Sequence, residues 1–186
     1  HDDFGMGAAN TVLGLAAGAE VAHTTITAIG ERAGNAAYED VALTLLTMYG
    51  VDLGLDYSKI YGLSKLVREI SGLGLRQNRA IVGDLIYKIE SGIIAGWYKN
   101  CGKTEPLELS PFKWDLVGHE APEVVLGKNS GIDSVHIWLE KFGMSATEEQ
   151  MLDLVQEVKK MAYDKHALLT PEEFRALAQK YLKQVS

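Results

Sequence analysis

The chain of 186 residues is 47% hydrophobic and 23% charged, which suits one ordinary core and excludes overall disorder or several large domains. Eighteen basic against 25 acidic side chains leave a net charge of -7, with no block of like charge, and this argues against a nucleic-acid groove. The single cysteine, Cys101, closes no internal disulfide, and no apolar run approaches the ~20 residues a bilayer needs, so the chain reads as soluble, outside the membrane and from a reducing, cytoplasmic compartment.

The sequence opens on His1-Asp2-Asp3 without an initiator Met, and a longer parent chain is expected. Residues 6–19, rich in Ala and Gly and apolar nearly all round, predict a closely packed helix. Val21 to Ile29, with its Thr, Val and Ile, predicts a strand. Gly30-Glu-Arg-Ala-Gly-Asn35 follows as a loop, and residues 36–48 as a helix with Val41, Leu45 and Met48 in register. This order of helix, strand, loop and helix belongs to a βα-repeat protein. Beyond Gly50, Ser58 is placed as the cap of a helix to Ile70, whose Ile60, Leu63, Leu66, Val67 and Ile70 form one stripe. Residues 79–99 carry mixed apolar segments without an assigned element, and a Pro-containing irregular stretch fills 102–131. Three helices finish the chain: 132–142, one capped by Ser145 with Glu148, and one started by Thr170-Pro-Glu-Glu173. Leu152, Val155, Val158 and Met161, then Phe174, Leu177, Ala178, Tyr181 and Leu182, are their packing faces.

Chemistry is sought just ahead of the first two helices, at His1-Asp2-Asp3 and at Gly30–Asn35. Helix starts favour anions, and an imidazole, carboxylates and an amide oxygen suit Mg, Mn or Zn. The plain alternative is that Asn35 caps the helix and Gly34 makes the turn. His23, His119, His136 and His166 have no ligand spacing, and Trp97, Trp114 and Trp138 read as packing anchors.

Four blocks sharpen this: His1-Asp-Asp-Phe-Gly-Met-Gly-Ala-Ala-Asn10, Gly30-Glu-Arg-Ala-Gly-Asn-Ala-Ala-Tyr-Glu39, Asn78-Arg-Ala-Ile-Val-Gly83 with Glu90-Ser-Gly-Ile93, and Val125-Leu-Gly-Lys-Asn-Ser-Gly131. Together they resemble the isopropylmalate, homocitrate and citramalate synthase group, within the metal-dependent superfamily that includes hydroxymethylglutaryl-CoA lyase. The resemblance implies an α/β fold in which the chain is the C-terminal part of a (β/α)8 TIM barrel followed by helical subdomains, the chain itself being mostly α. Residues 1–50 then run from the end of strand seven to helix eight, 51–104 form a linker and helical subdomain, and 105–186 a C-terminal helical subdomain.

The implied activity is condensation of acetyl-CoA with a 2-oxo acid in amino-acid biosynthesis, by a homodimer using a divalent metal. His1 and Asn35 match metal ligands of the group, the remaining ligands preceding residue 1, so the isolated chain is expected to be inactive. Asp2, Asp3, Glu31 and Arg32 are placed in support of the metal loop, with Arg32 either an ion-pair partner or a substrate contact. Where such synthases carry an acyl-transfer His, this sequence has Ile94, and Asn129 stands where a His is common. Isoleucine exchanges no proton, which keeps two alternatives open: a C–C lyase or aldolase of the superfamily, and a non-catalytic helical interaction module.

Overall fold

The computed structural model describes residues 1–184. Among them the helices are α1 Gly7–Ala16, α2 Tyr38–Tyr49, α3 Ile60–Ser71, α4 Gly92–Cys101, α5 Ile132–Lys141, α6 Glu148–Lys165 and α7 Pro171–Gln184. The strands are only β1 Lys88–Ile89 and β2 Glu123–Val124, so the chain is mostly helical. It divides into two compact units, one of His1–Tyr87 with Phe112–Ala121, the other of Lys88–Pro111 with Pro122 onward. No described helix is long and apolar enough to cross a membrane.

In the first unit α2 packs on two sides. Val41 and Leu45, one turn apart, close on Val12 of α1 and on Ala36, while Ala42 and Leu43 meet Tyr57, Ile60, Val82 and Val117. A helix with apolar residues on both faces is one that is enclosed. Gly50, at φ +67°, ends it in a left-handed cap that lets the Val51 N–H donate to Leu45 O at 2.9 Å, a conformation glycine adopts without steric cost. Met48, expected in register with Val41 and Leu45, is instead exposed.

Several expectations are corrected in this unit. Val21–Ile29 forms no strand: its ordered pairing is one parallel bridge, Thr25 with Ala37, after which Ile26–Ala28 curl into a 3-10 turn. Strand-forming side chains do not make a strand where the backbone lacks a neighbouring ladder. Ser58 does not cap α3, since the Asp56 carboxylate accepts the Ser58 N–H and hydroxyl ahead of a short 3-10 turn at Tyr57–Lys59. Of the stripe on α3 only Ile60 is buried, whereas Leu63, Leu66 and Ile70 stay exposed.

In the second unit β1 and β2 pair in parallel, Lys88 opposite Glu123 and Ile89 opposite Val124, and Lys88 Nζ donates to Glu123 Oε2 at 2.8 Å across the pair. Val124, Leu126, Val135, Trp138, Leu139, Leu154, Val155, Val158, Ala162, Phe174 and Ala178 form one core. Phe174 lies edge-on to Trp138, centroids 5.5 Å apart, the favoured aromatic geometry. The Trp138 indole N–H donates to Val124 O at 2.7 Å, so burial of its polar edge carries no unmet hydrogen bond. Thr170 and Glu173 form the reciprocal box expected ahead of α7. Ahead of α6 the box is Thr147 with Gln150, two residues beyond the Ser145 and Glu148 expected, because both pairs satisfy the same four-residue pattern. Leu154 is buried there and Leu152 exposed.

Candidate functional site

The Gly30–Asn35 loop is tied down by a turn in an unusual conformation. Thr27 and Ala28 have φ of +59° and +60°, and Arg32 +61°. For a β-branched residue this region costs on the order of 1–3 kcal/mol, so surrounding contacts must hold it. Thr27 N–H donates to Glu39 Oε2 at 3.0 Å. Ala28 O then accepts the Asn35 N–H at 3.2 Å, and it fills the space a Cβ on Gly34 would take. Gly34 has φ +79°, so both its dihedral and the approach of Ala28 O require glycine.

Asn35 is half-buried and does not cap α2, whose N-cap is Ala37 with no side-chain cap bond. Its Nδ2 donates to Ile29 O at 3.4 Å, so the amide oxygen is the end left for a ligand. Gly30 makes room for that amide, which a side chain at position 30 would strike.

The N-terminal block meets this loop. Asp2 N–H donates to Gly34 O at 3.0 Å, and the Asp2 carboxylate accepts the Gly7 N–H at 2.7 Å at the start of α1, where helix polarity favours an anion. Asp3 and Arg32 form a two-pronged ion pair, Arg32 Nη2 to Asp3 Oδ2 at 2.9 Å. The Arg32 hydrogen bond holds the Asp3 carboxyl below its usual range. Of its two expected roles, the structure shows Arg32 in the ion pair with Asp3. Glu31 is exposed and orders the loop only through its carbonyl, which accepts the Gly34 N–H at 3.0 Å. His1 is exposed and lines an open depression of about 340 Å³ with Asp3, Phe4, Met6, Gly7 and Asn10; Asn35 does not line it. Among the described residues no three His, Cys, Asp or Glu side chains gather closely enough to hold a metal ion.

Behind the loop lie groups that the sequence reasoning passed over. Glu39 is 1% exposed, and burial pushes its carboxyl above the usual range. Asp40 accepts from Arg79 Nη2 at 2.6 Å. Burial opposes the Arg79 charge, but the Asp40 bond together with the negative charges of Asp40, Glu39 and Asp2 outweighs it, so the guanidinium stays charged. Glu39 Oε1 and Asp40 Oδ1 are buried without a hydrogen-bond partner. Two adjacent acids in the first turn of a helix were the available signal, and they suit plain dipole stabilisation equally well.

The second unit has its own glycine loop, Gly127–Gly131, ahead of α5. Glu90 Oε1 accepts the Asn129 N–H at 3.0 Å, Ser130 Oγ accepts the Gly127 N–H at 2.9 Å, and a Cβ on Gly92 would lie 2.7 Å from Gly131 Cα. Ile94 is half-buried on α4.

A family model described as HMGL-like matches residues 1–67, the stretch that contains His1–Asp3, the Gly30–Asn35 loop and Glu39. These residues are similar to the HMGL-like family. Similarity runs past the HMGL-like segment. A provisionally named (R)-citramalate synthase, CimA, of Methanopyrus kandleri is 40% identical over 183 residues, 98% of this chain and 35% of that protein. Homocitrate synthase AksA of Methanothermobacter thermautotrophicus is 39% identical over 160 residues, 86% of this chain and 40% of the relative. Homocitrate synthase 1 of Nostoc is 40% identical over 174 residues, covering 93% and 45% respectively. The chain thus spans between about a third and just under half of the length of these relatives.

Proposed function

We propose that this chain is the part of a cytoplasmic, divalent-metal-dependent acyltransferase that carries the last metal ligands, within an enzyme condensing acetyl-CoA with a 2-oxo acid. On this reading residues 1–50 complete a TIM barrel, the remaining helices are its subdomains, and the enzyme is a homodimer. The observation that carries the reading is the joining of His1–Asp3 to Gly30–Asn35, by Asp2 N–H to Gly34 O and by Asp3 to Arg32. The two segments of the chain whose donors suit a hard or borderline cation are fixed to one another. Identity of 40% with a citramalate synthase and of 40% with a homocitrate synthase supports the substrate class.

The donor set fits a cation in part. His1 offers an imidazole nitrogen and Asn35 an amide oxygen, and its other ligands come from outside this chain. A bound Mg, Mn or Zn ion supplies Lewis acidity, polarising the 2-oxo carbonyl towards a carbon nucleophile. This chain's own residues orient: Ile29 O and Gly30 set the Asn35 amide, while Asp3 and Arg32 fix the loop to the segment that carries His1. Ile94 neither gives nor takes a proton, an observation that favours a C–C lyase or aldolase as the second reading. A helical interaction module gives the metal loop no task.

The test is thiol release from acetyl-CoA by the full-length natural protein with pyruvate, 2-oxoisovalerate or 2-oxoglutarate, in Mg or Mn and then EDTA. Release with one acid, abolished by EDTA, is expected. Silence with all three overturns condensation and directs the search to cleavage assays.

A further inference from the structure

The Glu39 carboxylate is the least expected group in the first unit. An acid serving only the positive end of a helix sits in water, yet this one is 1% exposed, reaches twelve residues back to the Thr27 N–H, and leaves Oε1 without a hydrogen-bond partner. Its burial is unfavourable unless the bond it makes is needed. That bond falls on the first of two consecutive left-handed residues, Thr27 and Ala28. The carbonyl of the second, Ala28 O, accepts the Asn35 N–H and packs against Gly34. A continuous path therefore runs from Glu39 Oε2 through the Thr27 amide and the Ala28 carbonyl to the Asn35 backbone, and its middle members hold a conformation they would leave if released.

We propose that Glu39 is a positioning residue, which holds the Thr27–Ala28 turn left-handed and thereby sets the register of Asn35; the purpose of that register rests on the reading of Asn35 as a cation ligand. Arg79 supports it from behind: it pairs with Asp40 and its positive charge acts on Glu39.

Two variants of the full-length natural protein separate this from a merely structural role. Glu39→Gln keeps an oxygen acceptor for Thr27, whereas Glu39→Met keeps the length and removes it. Hydrogen–deuterium exchange is read on peptides covering residues 27–35 and on peptides from α6 and α7. In the Met variant the 27–35 peptides are expected to exchange about tenfold faster, the equivalent of one lost hydrogen bond, with α6 and α7 unchanged and the Gln variant near the parent. Equal exchange of residues 27–35 in parent and Met variant overturns the proposal. Should the Met variant fail to fold, Thr27→Gly is added to it to relieve the strained dihedral: recovery of fold and slow exchange supports the proposal, and continued failure overturns it. Mn binding to Asn35→Ala, followed by calorimetry, tests the other reading separately. Affinity equal to the parent's sinks the ligand assignment of Asn35, whereas faster exchange in Glu39→Met still reports the hold on the loop.

Discussion

The two units solve one problem at different cost. Each presents a glycine loop ahead of a helix, and in each a carboxylate from another segment takes a loop or turn amide: Glu39 with Thr27 in the first, Glu90 with Asn129 in the second. The first loop and its turn contain four residues at positive φ, Thr27, Ala28, Arg32 and Gly34, and residues 127–131 contain none. The second loop is instead seated by a backbone approach, Gly92 against Gly131, that brings α4 close to α5. Strain collects in the turn that holds the Gly30–Asn35 loop, and close packing suffices where two helices meet.

That contrast can be broken from either side. The largest effect is expected for Gly34→Ala, where a methyl group meets Ala28 O at a dihedral that disfavours it; a loss of about 3 kcal/mol or more is expected in urea unfolding. Gly92→Ala meets Gly131 Cα without the dihedral penalty, so about 1–3 kcal/mol is expected; a cost equal to that of Gly34→Ala would erase the distinction. Arg79→Met leaves the Asp40 and Glu39 carboxylates without their cation, and since the arginine is partly solvated a loss of about 1–2 kcal/mol is expected, which Asp40→Asn in the same chain should reduce.

Acid adds a smaller effect in the first unit. His119 stacks on Tyr61 with centroids 3.6 Å apart, its Nε2 meets Ile81 O at 3.0 Å, and burial lowers its pKa. Folding therefore favours the neutral ring, and stability present above the unfolded value near 6.5 is lost as pH falls through the folded value. Thermal melts at pH 7.5 and 5 should lie further apart for the parent than for His119→Gln. Asp3→Asn is placed last: both partners of its pair are solvated, so the melting temperature should not move, although exchange of the Arg32 amide should quicken.

Six of the seven described helices were legible in the sequence because their signals are local, such as the apolar spacing of Val155 and Val158 or the box at Thr170; α4, which carries Gly92 and Gly96, was not. The Gly30–Asn35 loop was legible as a motif, whereas its link to His1–Asp3 was implied only by the resemblance that gives His1 and Asn35 a common cation. What was missed depends on the presence of a neighbour. Val21–Ile29 has the side chains of a strand, yet among the described residues it makes only one β-bridge, Thr25 with Ala37. Leu63, Leu66 and Ile70 form a correct stripe on α3, but spacing does not reveal what lies opposite. Glu39 was hidden for the same reason: nothing in its letter or its position says that it folds inward to a residue twelve places earlier.

The interleaving of the units has one further consequence. The chain leaves the first unit after Tyr87 and re-enters at Phe112, and the Tyr87 hydroxyl donates to Phe112 O at 3.2 Å. Exit and return are thus stapled together, so the intervening residues behave as an insertion whose ends are already matched in space. No single peptide bond divides this chain into its two units, since every cut between residues 88 and 121 leaves one of them incomplete. Recombination that exchanges one unit for a homologue's must therefore cross over at three places, and limited proteolysis at one site should yield fragments that remain associated.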